Sequence, residues 1–141
     1  MEKLMLLPVF AQVLLTSIVM IMMGRRRIKA AKNKEIKIAA FKTMDLTGAN
    51  EQVIATSRNF DNQFQMPMLY LFSVLFVLQF GLADFGYVML GAAFVTLRYL
   101  HTAIHTGSNK VRLRFNVFLL GCVVLWAIWI RLCWQLLSGG I

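Results

Sequence analysis

Carboxylates are scarce in this chain, and none of them falls inside a long apolar segment. Only six of its 141 residues are Asp or Glu, against 15 that are Lys or Arg. They lie near the N-terminus, at one short turn and in one long polar connection: Glu2, then Asp84, and then Glu35, Asp45, Glu51 and Asp61. Small four-span exporters that couple transport to protons need a carboxylate within the membrane. The scarcity therefore argues against that class of transporter.

Cysteine is also scarce, which bears on disulfides and metal sites. Cys122 and Cys133 lie in one apolar segment, and eleven residues along a single helix keep them too far apart to bond to each other. Neither belongs to a C-x-x-C motif or a Cys/His metal pattern. His101 and His105 have helical spacing, but no cysteine or carboxylate lies nearby in sequence to complete a ligand set. We therefore predict packing roles for the cysteines and no metal site.

Apolar sequence, in contrast, is abundant and lies in long blocks. Hydrophobic residues make up 59% of the chain, against about 45–50% in soluble domains. Four blocks approach the roughly 20 residues that cross the hydrocarbon core of a bilayer. We therefore predict an all-α membrane protein, with residues 1–141 forming one domain built as a four-transmembrane-helix bundle. The predicted spans are residues 4–24, 66–82, 85–105 and 115–137.

The distribution of Lys and Arg predicts the orientation of these spans. The connection 25–65 carries nine of them, the connection 106–114 carries three, and the turn 83–84 carries none. Cytoplasmic connections are the basic ones, so the connection 25–65 is predicted to be cytoplasmic and both termini to lie outside. The positive cluster follows the first apolar block, whereas in a cleaved signal peptide it precedes the block. We expect a plasma or inner membrane rather than the endoplasmic reticulum.

The net charge of +9 does not require a nucleic-acid partner. The basic connection lacks the interleaved aromatic residues of a groove that binds single strands. Its charge is explained by the topology and by attraction to anionic lipid headgroups. Arg131 and Trp134, near the end of the last span, are typical of an interfacial belt. Membrane lipids are therefore the expected surroundings.

The third span contains a polar stripe. Arg98, His101 and His105 interrupt an otherwise apolar segment, and at about 100° per residue they share one helix face. An ionisable side chain near the middle of a span costs about 2.5–3.5 kcal/mol on insertion scales. An interhelical polar contact returns only about 0.6 kcal/mol on average. The stripe is therefore predicted to face a functional cavity rather than lipid.

A helix is predicted to begin in the cytoplasmic connection, before the second span. Asn50 followed by Glu51 has the pattern of an N-cap with an acid in the first turn. No helix breaker follows before the membrane, so we predict one continuous helix that enters near Met66 and is kinked by Pro67.

A second polar stripe lies on that predicted helix. Arg58, Asn62 and Gln65 have the spacing i, i+4 and i+7, which places them on one face. The predicted topology brings both stripes to the same mouth of the bundle. Together they make a basic, donor-rich pocket whose natural ligand is a small anion with several carboxylates, because guanidinium groups bind carboxylates in bidentate fashion. An arginine beside a thiol also favours the thiolate.

The order and placement of these motifs resemble the MAPEG family, the membrane-associated proteins in eicosanoid and glutathione metabolism. The motifs are Arg58-x-x-x-Asn62-x-x-Gln65, then Arg98-x-x-His101-x-x-x-His105, then a basic turn that ends in Arg114. The resemblance implies a homotrimer that binds glutathione as co-substrate between neighbouring subunits near the cytoplasmic face. It implies a glutathione transferase or peroxidase whose bound thiolate attacks a lipophilic electrophile or a peroxide.

The resemblance also implies roles for individual residues. The second stripe would hold the ends of the tripeptide, the first would complete the wall, and Arg114 would meet the thiol as the catalytic residue. Arg27 matches a further basic position, and the sequence does not separate Arg112 from Arg114. The implied glutathione-binding residues are Arg27, Arg58, Asn62, Gln65, Arg98, His101, His105 and Arg112.

Two positions depart from the family pattern. The family usually has Glu at the position of Gln65 and often has Tyr at the position of His105. The missing carboxylate removes a partner for the ammonium group of glutathione. A non-catalytic protein that binds lipid or regulates others on the same scaffold is therefore the alternative.

Overall fold

The computed structural model describes residues 1–139, and all regular structure within them is helical. Five α-helices follow one another along the chain, with a short 3-10 helix, Ile38–Lys42, between the first two. They are α1 (Glu2–Lys32), α2 (Glu51–Asn62), α3 (Met66–Gln79), α4 (Phe85–Thr106) and α5 (Val111–Leu137). The all-α class predicted from the sequence is confirmed.

Among residues 1–139, three helices are long and apolar enough to cross a membrane, namely α1, α4 and α5. The 31 residues of α1 span about 46 Å, which exceeds a hydrocarbon core of about 30 Å. The helix therefore continues beyond its apolar part and carries Arg25–Arg27 past it. In contrast, the 14 residues of α3 span only about 21 Å. The chain is thus an integral membrane protein, and α3 is the shortest of its apolar helices.

The predicted continuous helix through Pro67 is wrong. α2 ends at Asn62 and α3 begins at Met66, with Gln65 at φ −107° and ψ −106° between them. In a continuous helix the ring of Pro67 would clash with the carbonyl group of Gln63. The chain instead starts a new helix, and Pro67 occupies its first turn, where its missing N–H group has no intrahelical partner to lose.

The apolar core joins α3, α4 and α5, and Met5 of α1 packs into it. Tyr70 and Phe94 are both almost fully buried, with ring centroids 4.9 Å apart. Gly91 permits this packing, because a Cβ atom there would lie 2.6 Å from the hydroxyl oxygen of Tyr70. The remaining buried members of the cluster are Met5, Val74, Val77, Tyr87, Val95, Leu125, Ile128 and Leu132. This core fixes α4 and α5 side by side, and these two helices carry most of the residues of the candidate site.

At one end of the bundle an ion pair ties the α3–α4 turn to α5. Arg131 pairs with Asp84, and its guanidinium carbon lies 4.3 Å from the ring centroid of Tyr87. The hydroxyl of Tyr87 donates to Oε1 of Gln135 at 2.5 Å. We call these four residues the Asp84 clamp. Arg131 therefore forms an ion pair within the protein. The sequence had indicated only that it lies at the membrane interface.

At the other end, which we call the basic end, α1, α2 and the α4–α5 turn meet. Arg26 donates to the carbonyl oxygen of Thr106 at 3.2 Å and also to the hydroxyl of Thr56. It thereby joins α1 to α2 and to the last turn of α4. Asn50 caps α2 by accepting from the backbone N–H of Val53 at 3.1 Å, which confirms the predicted N-cap. These contacts hold α2 against α4 at the level of the polar stripes.

Candidate functional site

An open cavity of about 470 Å³ lies at the basic end, and we call it the polar cavity. Its walls come from α2 and the turn after it, from the last turns of α4 and from the first turns of α5. The lining residues are Arg58, Asp61, Asn62, Gln65, His101, His105, Val111, Arg114, Phe115 and Phe118. The structure thus brings six of the predicted site residues into one wall, across three separate stretches of the chain.

Helical periodicity explains why α5 presents both charge and apolar surface to this cavity. Val111, Arg114, Phe115 and Phe118 have the spacing i, i+3, i+4 and i+7, so they share one helix face. His101 and His105 face them from α4, and the ring of His101 lies 5.7 Å from that of Phe118, centroid to centroid. The polar cavity therefore has a charged mouth and an apolar flank.

Arg114 is held in the wall by neutral groups. Its Nη1 donates to Oδ1 of Asn109 at 2.5 Å, and Nδ2 of Asn109 donates to Glu51 at 2.8 Å. Asn109 reaches this position with a left-handed backbone, at φ 47°. Within residues 1–139 no carboxylate forms an ion pair with Arg114. Its positive charge is therefore not neutralised by a direct protein partner.

Arg58 and Asp61 lie three residues apart on α2, and both line the polar cavity. In the described part of the chain, no hydrogen bond involves the Arg58 guanidinium or the Asp61 carboxylate, and no ion pair does either. Both side chains are exposed. The wall therefore offers a cation and an anion that are each free to meet a ligand.

The two histidines are held from opposite sides. Nδ1 of His101 lies 3.3 Å from the carbonyl oxygen of Arg114, and Nδ1 of His105 lies 3.2 Å from Nδ2 of Asn59. Their ring centroids are 5.5 Å apart, edge to face. Both residues are buried, yet both line the polar cavity. They are therefore fixed in orientation before any ligand arrives.

Arg98 lies behind His101 rather than in the cavity wall. It is 2% exposed, and its Nη2 donates to the carbonyl oxygen of Asn62 at 3.4 Å. Within residues 1–139, its Nε has no hydrogen-bond partner, and neither does Nε2 of His101. A buried cation without a counter-charge is costly. This arginine therefore adds uncompensated positive charge close to His101, which lines the polar cavity.

The last two predicted residues lie outside the polar cavity. Arg27 donates from Nε and Nη2 to the hydroxyl of Ser57, at 3.1 and 3.0 Å. It lines an adjacent cavity of about 410 Å³ that shares Arg58 and Asp61 with the polar cavity. Arg112 is exposed and lines neither cavity. Of the two arginines that the sequence left open, Arg114 is the one in the wall.

The family model described as the MAPEG family matches residues 5–134 of this chain. The chain belongs to the MAPEG family. The resemblance seen in the sequence is thereby confirmed, and at a coarse level the membership supports a membrane protein of the glutathione-transferase and eicosanoid type. No curated protein and no solved structure matches the chain at a level that indicates kinship.

In this MAPEG chain, sequence reasoning missed two groups of polar residues. Asp61 had a usable signal, since its spacing from Arg58 puts both on one helix face. A buried network of amides and one hydroxyl had almost none, because its members meet only in the folded chain. That network consists of Gln12, Asn59, Gln63 and Thr102, and it ends on His105.

Proposed function

We propose that this MAPEG protein is an integral membrane glutathione transferase or peroxidase that binds glutathione in the polar cavity. The observation that carries the proposal is the charge pattern of the wall. Arg58 and Arg114 offer guanidinium groups without a carboxylate partner in residues 1–139, and Asp61 offers a carboxylate beside them. Glutathione has two carboxylates and one ammonium group. The cavity and the tripeptide are therefore complementary in charge.

Asp61 can supply the carboxylate that the family usually has at the position of Gln65. The resemblance left the ammonium group of glutathione without a carboxylate, because the chain has an amide at that position. Asp61 lies in the same wall as Gln65 and can accept charge-assisted hydrogen bonds from an ammonium group. Gln65 and Asn62 then supply neutral donors and acceptors for the tripeptide backbone.

The proposed chemistry is thiolate activation by Arg114. The glutathione thiol releases its proton to solvent, and the thiolate is stabilised by the guanidinium group beside it. Its sulfur then forms the new bond to a lipophilic electrophile, while the leaving group departs with the electrons of the broken bond. Lowering the pKa of a thiol from about 8.5 by two units requires about 2.7 kcal/mol of differential stabilisation. The uncompensated charge of Arg98 adds to the field.

The membrane arrangement that we propose has four spans. α3, extended by residues 80–82, forms the fourth span beside α1, α4 and α5. The basic end faces the cytoplasm and both termini lie outside, in a plasma or inner membrane, as the distribution of Lys and Arg indicates. Glutathione then reaches the polar cavity from the cytoplasm, and a lipophilic substrate arrives from the bilayer.

We further propose a homotrimer in which a neighbouring subunit closes the polar cavity. The cavity is open on its α5 side, where the apolar side chains of Val111 and Phe115 are 64% and 58% exposed. Apolar residues beside a charged cavity at the membrane surface suit contact with another helix. In such an arrangement Arg27 of one subunit can complete the site of another.

A non-catalytic lipid-binding protein remains the second candidate, and one cavity favours it. A groove of about 500 Å³ lies between α1 and α4. Its lining is almost wholly apolar: Leu4, Leu7, Pro8, Ala11, Val88, Ala92, Val95, Thr96 and Tyr99. Such a groove suits an acyl chain. This candidate predicts lipid that copurifies with the protein and no thiol chemistry.

The experiment that tests the proposal is stopped-flow ultraviolet absorbance on the detergent-purified protein. We expect a thiolate band to rise when glutathione is added at millimolar concentration. S-methylglutathione is the matched control, because it keeps both carboxylates and the ammonium group but cannot form a thiolate. If glutathione gives no more signal than this control, the proposal is wrong. Measurable turnover of an aryl halide would exclude the non-catalytic candidate.

A further inference from the structure

The side of His105 away from the polar cavity contacts a buried chain of amide groups. Asn59 is fully buried, and Gln63 is 2% exposed. Nε2 of Gln63 donates to the backbone carbonyl oxygen of Asn59 at 3.3 Å and to its Oδ1 at 3.1 Å. Nδ2 of Asn59 lies 3.2 Å from Nδ1 of His105. Once the orientation of one amide group in this network is known, the donor and the acceptor of every other hydrogen bond in it follow.

The backbone carbonyl group of Asn59 fixes that orientation. A carbonyl oxygen only accepts, so the side-chain atom of Gln63 that faces it has to be the NH₂ group. The same NH₂ group faces the Asn59 side chain, so the Asn59 atom on that side is Oδ1. The other branch of the Asn59 amide, turned toward His105, is consequently the donor Nδ2.

Thr102 and Gln12 support the same direction. The hydroxyl of Thr102 accepts from Nε2 of Gln63 at 3.4 Å and donates to Oδ1 of Asn59 at 3.2 Å. Nε2 of Gln12 donates to Oε1 of Gln63 at 3.0 Å. Reversing the amide of Gln63 would face its side-chain oxygen toward the backbone carbonyl oxygen of Asn59, where neither atom can donate. The network is therefore directional from α1 to α4.

We infer that Asn59 and Gln63 are positioning residues that hold His105 as the neutral Nε2–H tautomer, so that it presents a hydrogen-bond donor to an anionic ligand in the polar cavity. An Nδ1 that accepts from an amide carries no proton, and a neutral imidazole then carries its proton on Nε2. No hydrogen bond among residues 1–139 uses Nε2 of His105, and the residue lines the cavity. The identity of the ligand rests on the proposed function, but the tautomer does not.

His101 has the opposite tautomer, which makes the inference sharper. Its Nδ1 lies 3.3 Å from the backbone carbonyl oxygen of Arg114. Because that oxygen only accepts, Nδ1 of His101 carries the proton. The chain has two histidines, so a histidine spectrum of the whole protein contains one ring of each tautomer.

The experiment is nuclear magnetic resonance of the full chain in micelles with ¹⁵N-labelled histidine. Long-range ¹H–¹⁵N correlations distinguish the two ring nitrogens, and the ¹⁵N shift shows which of them is protonated. We expect one Nε2–H ring and one Nδ1–H ring at neutral pH. His101→Gln and His105→Gln each remove one ring and so assign the spectrum. A proton on Nδ1 of His105 in the wild-type protein would overturn the inference without reference to glutathione.

Asn59→Asp reverses the last link, because a carboxylate oxygen accepts from Nδ1 and cannot donate to it. We expect the neutral His105 ring of this variant to carry its proton on Nδ1 and none on Nε2. Gln12→Leu is the matched control, since it removes a buried amide from the same network without reversing the direction at Asn59. An Nδ1 that stays unprotonated in a folded Asn59→Asp protein contradicts the inference. If that variant does not fold, the wild-type spectrum still decides.

Titration with glutathione links the tautomer to the proposed function. We expect the Nε2 signal of His105 to move on binding, and Asn59→Asp to weaken binding about tenfold, as expected for a lost hydrogen bond to a charged group. Ser73→Ala, which removes a buried hydroxyl from α3 outside this network and outside the polar cavity, should stay within about twofold of wild type. If glutathione does not bind the wild-type protein although the spectrum shows both tautomers, the proposed function fails and the inference stands.

Discussion

Two arginines at opposite ends of α5 have opposite surroundings. Arg131 belongs to the Asp84 clamp, where a carboxylate pairs with its charge and the ring of Tyr87 lies beneath it. Arg114 lies in the wall of the polar cavity, where the neutral side-chain oxygen of Asn109 is its hydrogen-bond acceptor. The same residue type on the same helix is thus neutralised at one end and left without a counter-charge at the other.

The difference separates structural charge from charge that can bind a ligand. A guanidinium group that is already paired with a carboxylate gains little binding free energy from a second anion. A guanidinium group without such a partner, close to buried side chains, gains much more. Arg98 and Arg58 strengthen the contrast, because neither forms an ion pair within residues 1–139 and both lie at or near the polar cavity. Ligand binding is therefore expected at the end of the bundle where the protein has not neutralised its own cations.

The largest expected effect is the difference in activity between the alanine variants of these two arginines. Arg114→Ala should lower kcat/KM for conjugation of glutathione to an aryl halide by about 100-fold, which corresponds to a thiol pKa that rises by about two units. Arg131→Ala should stay within about twofold of wild type, because it lies far from the polar cavity. Steady-state kinetics in detergent measures both.

Arg114→Lys refines this result. Lysine keeps the charge but loses the planar fork that binds two acceptors, so its activity should fall between those of wild type and alanine. Equal losses in the Arg114 and Arg131 variants would remove the distinction between the two ends of α5.

The next effect concerns Asp61, the carboxylate in the lining of the polar cavity. Asp61→Asn should raise the Kd for glutathione about tenfold, since it removes a charged acceptor for the ammonium group. The Kd for a deaminated analogue of glutathione, which has no ammonium group, should be unchanged. Isothermal titration calorimetry measures both ligands. A variant that weakens both ligands equally would show that Asp61 does not recognise the ammonium group.

A smaller effect is expected on the stability of the Asp84 clamp. Asp84→Asn removes the ion pair but keeps a good N-cap for α4, where the side chain accepts from the backbone N–H of Tyr87 at 3.0 Å. The two side chains are 34% and 41% exposed, so the pair should contribute at most about 1 kcal/mol. We expect Tm in detergent to fall by a few degrees and glutathione affinity to be unchanged. A loss of glutathione affinity in Asp84→Asn would show that the two ends of the bundle are energetically coupled.

The smallest effect is expected at Arg112. Its side chain is exposed and lies outside the polar cavity, and surface substitutions of this kind usually change free energies by less than about 0.5 kcal/mol. Arg112→Ala should therefore change kcat/KM by no more than about twofold. The same aryl halide assay measures this variant. A loss of activity comparable to that of Arg114→Ala would show that Arg112 also belongs to the site.

Much of the fold was predictable because it depends on local composition. The apolar blocks located α1, α4 and α5, and Asn50 marked the start of α2. The break between α2 and α3 was missed because Pro67 was interpreted as a kink within one helix, whereas it lies in the first turn of a new one. The position of Pro67 in the first turn of α3 explains it only after the helix boundary is known.

The candidate site was predictable where it follows helical periodicity and missed where it depends on tertiary contacts. His101 and His105 share a face of α4, and Arg58 and Asn62 share a face of α2. In contrast, Gln12 lies on α1 and Gln63 directly follows α2, so the two side chains meet only when α1 packs against α2. The partner of Arg131 was likewise not predictable, because Asp84 precedes α4 and lies 47 residues away in the sequence.

The shortness of α3 has a consequence for the lipids around this protein. Its 14 helical residues reach about 21 Å, and with residues 80–82 the proposed span is still shorter than an average hydrocarbon core of about 30 Å. If α3 crosses the bilayer as proposed, the lipid layer on its flank has to thin, at a cost of a fraction of a kcal/mol for each ångström. The protein should then favour membranes with short acyl chains.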